Sequence, residues 1–297
     1  MLALVLLAAV GSICFSLGLW QLKRAAERDA LHARIEHGRQ QPPLLLTSQT
    51  SPADFTPWRA ATAQGHWSET HTVLLENRNL EGRPGYWVAT PLLLAPPPLP
   101  SSRHDAISAG SAELGAVTGR TDANDFLGRG PAAGDLAVLV LRGWLPRDLQ
   151  AAGTPPDIPL EAGLVDVQGE LHSHVPRIFE LWQWAGGQSS ALPGSLPQAG
   201  GLPTVVQNLD LTEYAQATGL RLLPVVLAQA ADSTRTEAST GANALRREWP
   251  GPSLDSDQNR GYALQWFSFS AIALIAALFV LRSLLRRRPE TSSKEAP

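Results

Sequence analysis

The sequence predicts an α+β membrane protein: two transmembrane helices flanking a mainly antiparallel β-sheet or barrel domain with one or two short helices. Three observations carry that reading. No charged residue occurs in residues 1–22 or 261–281, and about 20 apolar residues at ~1.5 Å each can cross a hydrocarbon core of ~30 Å. Between these ends the chain breaks into short apolar runs punctuated by Gly and Pro, the pattern of strands and turns. The mean hydropathy of −0.07 therefore averages two very apolar ends with a polar middle.

The elements follow in order. Residues 1–22 read as a retained anchor rather than a cleaved leader: no basic start precedes them, no A-x-A site follows, and Trp20 and Gln21 mark an interface. Residues 23–38, rich in Ala, Leu, Arg and Glu, continue the helix out of the membrane until Gln41-Pro42-Pro43 stops it. An extracytoplasmic domain is expected over 23–260, with strands at 58–67, 72–76, 86–94, 136–141, 164–171, 204–207 and 224–230. Trp67-Ser68-Glu69-Thr70 reads as a hairpin turn, with His66 and His71 as residues at the hairpin end. A short helix is expected at 211–218, with Asp210 as N-cap and Gly219 as stop. Three Pro-, Gly- and Ser-rich stretches lack a burial pattern: 96–135, read as a disordered insertion, and the shorter 186–201 and 232–257. The second span, 261–281, carries Tyr262, Trp266, Phe267 and Phe269 at its N-terminal end, where an interfacial belt belongs, and a basic tail occupies 282–297.

Charge counting leaves the orientation open. Arg282 and Arg286-Arg287-Arg288 favour a cytoplasmic C-terminus, while Lys23, Arg24 and Arg28 follow the first span on what would then be the outer side.

Composition removes several function classes. A net charge of −3 lacks the basic excess that phosphate recognition requires, so no nucleic-acid partner is expected. The single cysteine, Cys14, excludes an intramolecular disulfide and every cysteine-pair metal or haem motif. G-x-S-x-G, H-E-x-x-H, the P-loop and G-x-G-x-x-G opening a helix are missing, so the chain reads as a non-enzyme with no catalytic residues. His172-Ser173-His174 could place two imidazoles on one strand face, but a solvent-facing pair is the preferred reading and no metal site is assigned. Trp182 and Trp184 share a strand face, which more often means core than cofactor. In Arg142-Gly143-Trp144 the charge must reach solvent or find a partner, Gly143 marks a bulge or close approach, and Trp144 is expected as a large contact on the domain face nearest the membrane.

Four blocks carry a family resemblance. Gly18-Leu19-Trp20-Gln21 with Arg24 resembles the G-x-W-Q-x-x-R signature closing the first span of the surfeit locus protein 1 family. Glu76-Asn77-Arg78 with Gly85-Tyr86-Trp87-Val88-Ala89-Thr90-Pro91 resembles its second block, and residues 138–147, VLVLRGWLPR, its third. Gly261-Tyr262-Ala263-Leu264-Gln265-Trp266-Phe267 is similar to the segment entering its second span. The resemblance implies an assembly factor (a chaperone of respiratory-chain biogenesis) for haem-copper cytochrome c oxidase, assisting delivery or insertion of haem A into the catalytic subunit. It implies a bacterial inner-membrane location, both termini cytoplasmic and the main domain periplasmic, with that catalytic subunit, haem A biosynthesis enzymes and membrane lipid as partners. The alternative is a non-haem extracytoplasmic binding or scaffold domain of an inner-membrane complex. No firmly bound cofactor is expected, with haem A as a transient ligand met by Trp20, Arg24, Arg260, Tyr262 and Trp266. At one position the sequence departs from the family: a histidine commonly found three residues before the tyrosine is Asn259 here, and an amide is a poor iron ligand.

Overall fold

The computed structural model describes residues 1–96, 134–147, 158, 161–178, 192–197, 203–231, 245–252 and 254–286. Most of the expected insertion, both Trp182 and Trp184, and Arg287 and Arg288 lie outside the described residues. The chain divides into two compact units, Met1–Glu36 with Gly251–Pro297, and His37–Pro250.

The first unit is a pair of helices. Helix α1 runs unbroken over Leu2–Gln40, and a second long helix occupies Ser256–Arg286; each is long and apolar enough to cross a membrane. Proline at 42 ends the first, because a residue preceding proline is pushed out of the helical region. The apolar side chains Leu6, Ile13, Leu274 and Phe279 project outward, which is the surface a lipid environment accepts and water does not.

The second unit is an eight-stranded sheet: β1 (Leu44–Leu46), β2 (Ala60–Trp67), β3 (Val73–Leu80), β4 (Arg83–Leu94), β5 (Leu136–Pro146), β6 (Val165–His172), β7 (Thr204–Val206) and β8 (Arg221–Gln229). The order is β1-β2-β6-β8-β5-β4-β3-β7. Strand β4 pairs along one side first with β3 and then, at Leu92–Leu94, with β2. That switch closes β2, β6, β8, β5 and β4 into a five-stranded ring, with β1, β3 and β7 outside it. Pairings are antiparallel except β1–β2, β3–β7 and β5–β8.

Both faces of the long strands are buried, which is why β4 and β5 read as continuous apolar runs rather than alternating ones. Ala61, Leu92, Val138, Val167 and Leu227, one from each ring strand, share the inner cluster. The intervening residues Ala89, Leu139, Leu141 and Val226 belong to an outer cluster covered by helix α2 (Leu211–Thr218). Burying each such Leu or Val contributes about 1.5–3 kcal/mol. Helix α2 begins at Asp210, whose Oδ1 accepts from the Thr212 and Glu213 amides at 2.8 and 3.3 Å, and ends at Gly219 with φ +70°. Its Tyr214 is fully buried and donates to the His71 carbonyl.

Several expectations are corrected. The hairpin at Trp67–Thr70 does not form: β2 and β3 are not paired, and a turn of 3-10 helix, Glu69–His71, carries the chain from one to the other. The sequence there lacks the Asn-Gly or Gly residues that a tight hairpin turn demands. His71 is buried rather than terminal, held by Ser68 Oγ at 2.7 Å. Strand β2 starts at Ala60, after Trp58 takes a φ of +68°. Strand β1 went unpredicted because three residues after Pro42-Pro43 carry no periodicity. Within the stretches read as lacking burial, Leu196 is buried against the outer cluster, and Arg246 makes an antiparallel bridge with Trp144.

Candidate functional site

The paired helices of the first unit meet along a seam of small residues. The less exposed positions on α1 include Gly11, Cys14, Gly18, Gln21, Ala25 and Arg28, spaced alternately by three and four. The facing helix, α3 (Ser256–Arg286), presents Asn259, Ala263, Trp266, Ser270 and Ala273 with the same spacing. That spacing describes left-handed helix pairing, and glycines let the backbones approach. A Cβ on Gly18 would stand 2.5 Å from the Phe267 ring, and Ser270 Oγ donates to the Gly11 carbonyl at 2.9 Å.

The seam turns polar where the charge-free segments end. Asn259, 8% exposed, donates through Nδ2 to Gln21 Oε1 at 3.1 Å and accepts from Arg28 Nη1 at 2.8 Å. Arg28 also donates to the Asp255 carbonyl. Arg260 bridges to Asp29 across the seam at 2.6 Å and to Asp257 at 2.8 Å. Arg24 pairs along its own helix with Glu27 at 3.7 Å, both side chains exposed. Trp20 and Tyr262 are half exposed, and Trp266 packs edge-on against Phe269 with centroids 6.0 Å apart.

Of the residues singled out from sequence, Arg260 is thus held by carboxylates from both helices, Arg24 has a neighbour on its own helix, and Trp20 and Tyr262 offer exposed aromatic surface. Sequence reasoning missed Gln21 and Arg28 as partners of Asn259. The alternating three-and-four spacing from Gly11 to Arg28 was the available signal.

In the β unit two bulges place the motif residues. Between Leu75 and Arg78 the β3–β4 register slips by one, with Asn77 at φ +60°, turning Arg78 onto the outer face beside Trp87. Between Leu141 and Gly143 the β4–β5 register slips likewise, turning Trp144 onto that same face. Trp144 is 3% exposed, and its indole N–H donates to the Arg78 carbonyl at 2.7 Å. It is a core residue, not the surface contact expected: both faces of β5 are covered, and the bulge sets Trp144 in the outer cluster. Gly85 makes room: a Cβ there would overlap the Leu145 carbonyl and the Trp144 indole.

Arg142, the extra residue of the second bulge, does not reach solvent. It is 4% exposed, with its guanidinium 4.8 Å from the centroid of Trp67. Burial and Arg247 pull its basicity down to about 10, while Glu161 and Glu69 oppose that shift. Arg78 stacks over Trp87 at 4.4 Å.

The two histidines of His172-Ser173-His174 have separate surroundings. His172 stacks on Trp58 at 4.7 Å and lies 3.7 Å from Glu170; burial lowers its affinity for protons. His174 follows the strand end, with Ser173 Oγ 2.9 Å from its Nδ1. It lines a cleft of about 670 Å³ shared with Arg177, Asp210, Leu222 and Pro224.

Comparison with known proteins places this architecture. The model of the SURF1 family matches residues 8–103 and 127–271, reaching into both apolar helices and through the strands that carry Arg78, Trp87 and Trp144. No individually curated protein matches the chain. The family is one of cytochrome c oxidase assembly factors rather than a catalytic one, which implies an oxidase as partner. With more than half of its length matched, the chain belongs to the SURF1 family.

Proposed function

We propose that the protein assists delivery or insertion of haem A into the catalytic subunit of cytochrome c oxidase, alongside the haem A biosynthesis enzymes. In this reading it sits in a bacterial inner membrane, both termini cytoplasmic and the β unit periplasmic, with haem A as a passing cargo. The observation that carries the reading is the exposed aromatic surface of Trp20 and Tyr262, at the ends of the charge-free segments of two helices apolar enough to span a membrane. A farnesylated porphyrin is mostly apolar, and aromatic faces suit it. The fit is partial: Asn259 already serves Gln21 and Arg28, so it provides no axial ligand, and Arg260 already has two carboxylates.

That second fact favours an alternative, a scaffold that holds a membrane complex together without touching haem. Spectroscopy of oxidase purified from a deletion strain decides between them. Delivery requires the active-site haem A to be missing from an otherwise assembled subunit; a scaffold role leaves the haem in place and the subunits dissociated. Alkaline phosphatase fusions test the orientation: activity is expected at residue 120 and not at the C-terminus.

A further inference from the structure

Arg78 is the most unusual charge in the described β unit. It is 5% exposed, and Nη2 donates to the Gln207 carbonyl at 3.1 Å. Its Nε has no hydrogen-bond partner, and among the described residues no carboxylate pairs with it. Burial alone weakens its basicity, to about 10. Arg142 is as deeply buried, over a different indole, Trp67, but has Glu161 and Glu69 acting on it. A buried guanidinium without an anion is costly, and a buried N–H that no protein atom takes up points to a water, an ion or a ligand.

The surroundings are built for that placement. The Asn77 bulge turns the side chain onto the outer, buried face, Gly85 leaves space for Trp144, and Trp144 fixes the Arg78 backbone through its carbonyl. Trp87 lies under the guanidinium, and Trp249 stands edge-on to Trp87 at 5.3 Å.

We propose that Arg78 is an anion receptor, taking a single carboxylate borne on an apolar or aromatic body. A planar guanidinium with an N–H that no protein atom takes up matches a carboxylate in geometry. The flanking indoles match an apolar body. One uncompensated positive charge matches a monoanion better than a phosphate, which would require more cations. This inference stands independently of the haem reading.

The test uses the full-length protein in neutral detergent, melted with tryptophan fluorescence as readout. Added 3-phenylpropionate is expected to raise the melting temperature by about 2–4 °C, with sodium chloride and inorganic phosphate at equal ionic strength giving no such rise. Arg78→Met, which removes the buried charge at similar volume, is expected to melt at or above the wild-type temperature and to lose the response. Arg78→Lys keeps the charge without the planar fork, so it folds and loses the response even if the Met variant does not accumulate. An equal rise with all three salts, or the same carboxylate response in wild type and Arg78→Lys, overturns the proposal. So does a melting temperature far below wild type in Arg78→Met together with no carboxylate response in wild type, the signature of a purely structural arginine.

Discussion

The helical pair and the β unit treat their arginines in opposite ways. In the helices, Arg28 and Arg260 meet amide, carbonyl and carboxylate oxygens from the seam, and the arginines remain partly or fully exposed. In the β unit, Arg78 and Arg142 are drawn inside against tryptophan faces by register slips. The difference follows from what each architecture can adjust. A helix has a fixed period, so its seam accepts polar groups only where the facing helix supplies partners. A sheet can insert one residue, reverse the facing of everything after it, and hold a charge where alternation would not put it.

The contrast is broken most decisively at tryptophan. Trp144→Ala is expected to destabilise the β unit by about 3–5 kcal/mol, because it empties a buried site and orphans the Arg78 carbonyl. Trp20→Ala, on an exposed helix face, is expected to change stability by less than about 0.5 kcal/mol. Denaturant titration of both variants in detergent measures the gap; equal effects would show that the indole at 144 is not a core group.

Glycine sharpens the same comparison at intermediate size. Gly85→Ala is expected to cost about 1–3 kcal/mol, since the obstacles are a backbone carbonyl and a packed indole. At Gly18→Ala the nearest obstacle is the Phe267 ring, a side chain rather than backbone, and the change is expected to cost less. Melting temperatures in the reverse order would contradict this account of which neighbour can yield.

Within the seam, a double-mutant cycle on Gln21→Ala and Asn259→Ala is expected to return a coupling of about 0.6 kcal/mol, the usual size for an interhelical hydrogen bond in membranes. No coupling would place the two amides apart. Asp210→Ala, which removes the α2 cap, is expected to cost about 1 kcal/mol. The Thr212 and Glu213 amides hold the Asp210 carboxyl below its ordinary 3.8. Its contribution is therefore complete above pH 3.8 and disappears as pH falls through the folded-state value. A stability–pH curve for Asp210→Ala is expected to lack that acid limb.

The smallest expected effect is at His71, whose burial lowers its proton affinity below the ordinary 6.5. The folded state prefers the neutral ring, so stability is full above pH 6.5 and declines as pH falls through the folded value. His71→Gln is expected to flatten part of that decline. His172 titrates with the same sign, so some slope persists. A curve unchanged by the substitution would show that His71 does not carry the effect.

What could be read in advance was local. The charge-free helices, the Asp210–Gly219 limits of α2 and the apolar centres of β2 to β8, apart from their ends, depend on neighbours within a few residues. The C-terminal end of β5 was not readable: Arg142-Gly143 looks like a strand stop, yet the strand continues to Pro146 because the extra residue is absorbed as a bulge. The absence of β2–β3 pairing was equally hidden, since the partner of β2 is chosen by Leu92–Leu94 at the far end of β4. At the candidate site, Asn259 was visible as a departure from the family, but its partners Gln21 and Arg28 lie more than two hundred residues away.

The chain by itself determined that two apolar helices bracket a β-rich middle, because helix length, strand length and caps follow from short-range sterics and solvation. Which face each motif residue occupies was decided only by the tertiary structure. A single inserted residue in β3 or β5 leaves the local pattern nearly unchanged, yet it moves Arg78 and Trp144 to the opposite side of the sheet. The packing that selects that register comes from partners distant in sequence: the Arg78 carbonyl that takes the Trp144 indole N–H, the space above Gly85 and the strand-like contact of Arg246.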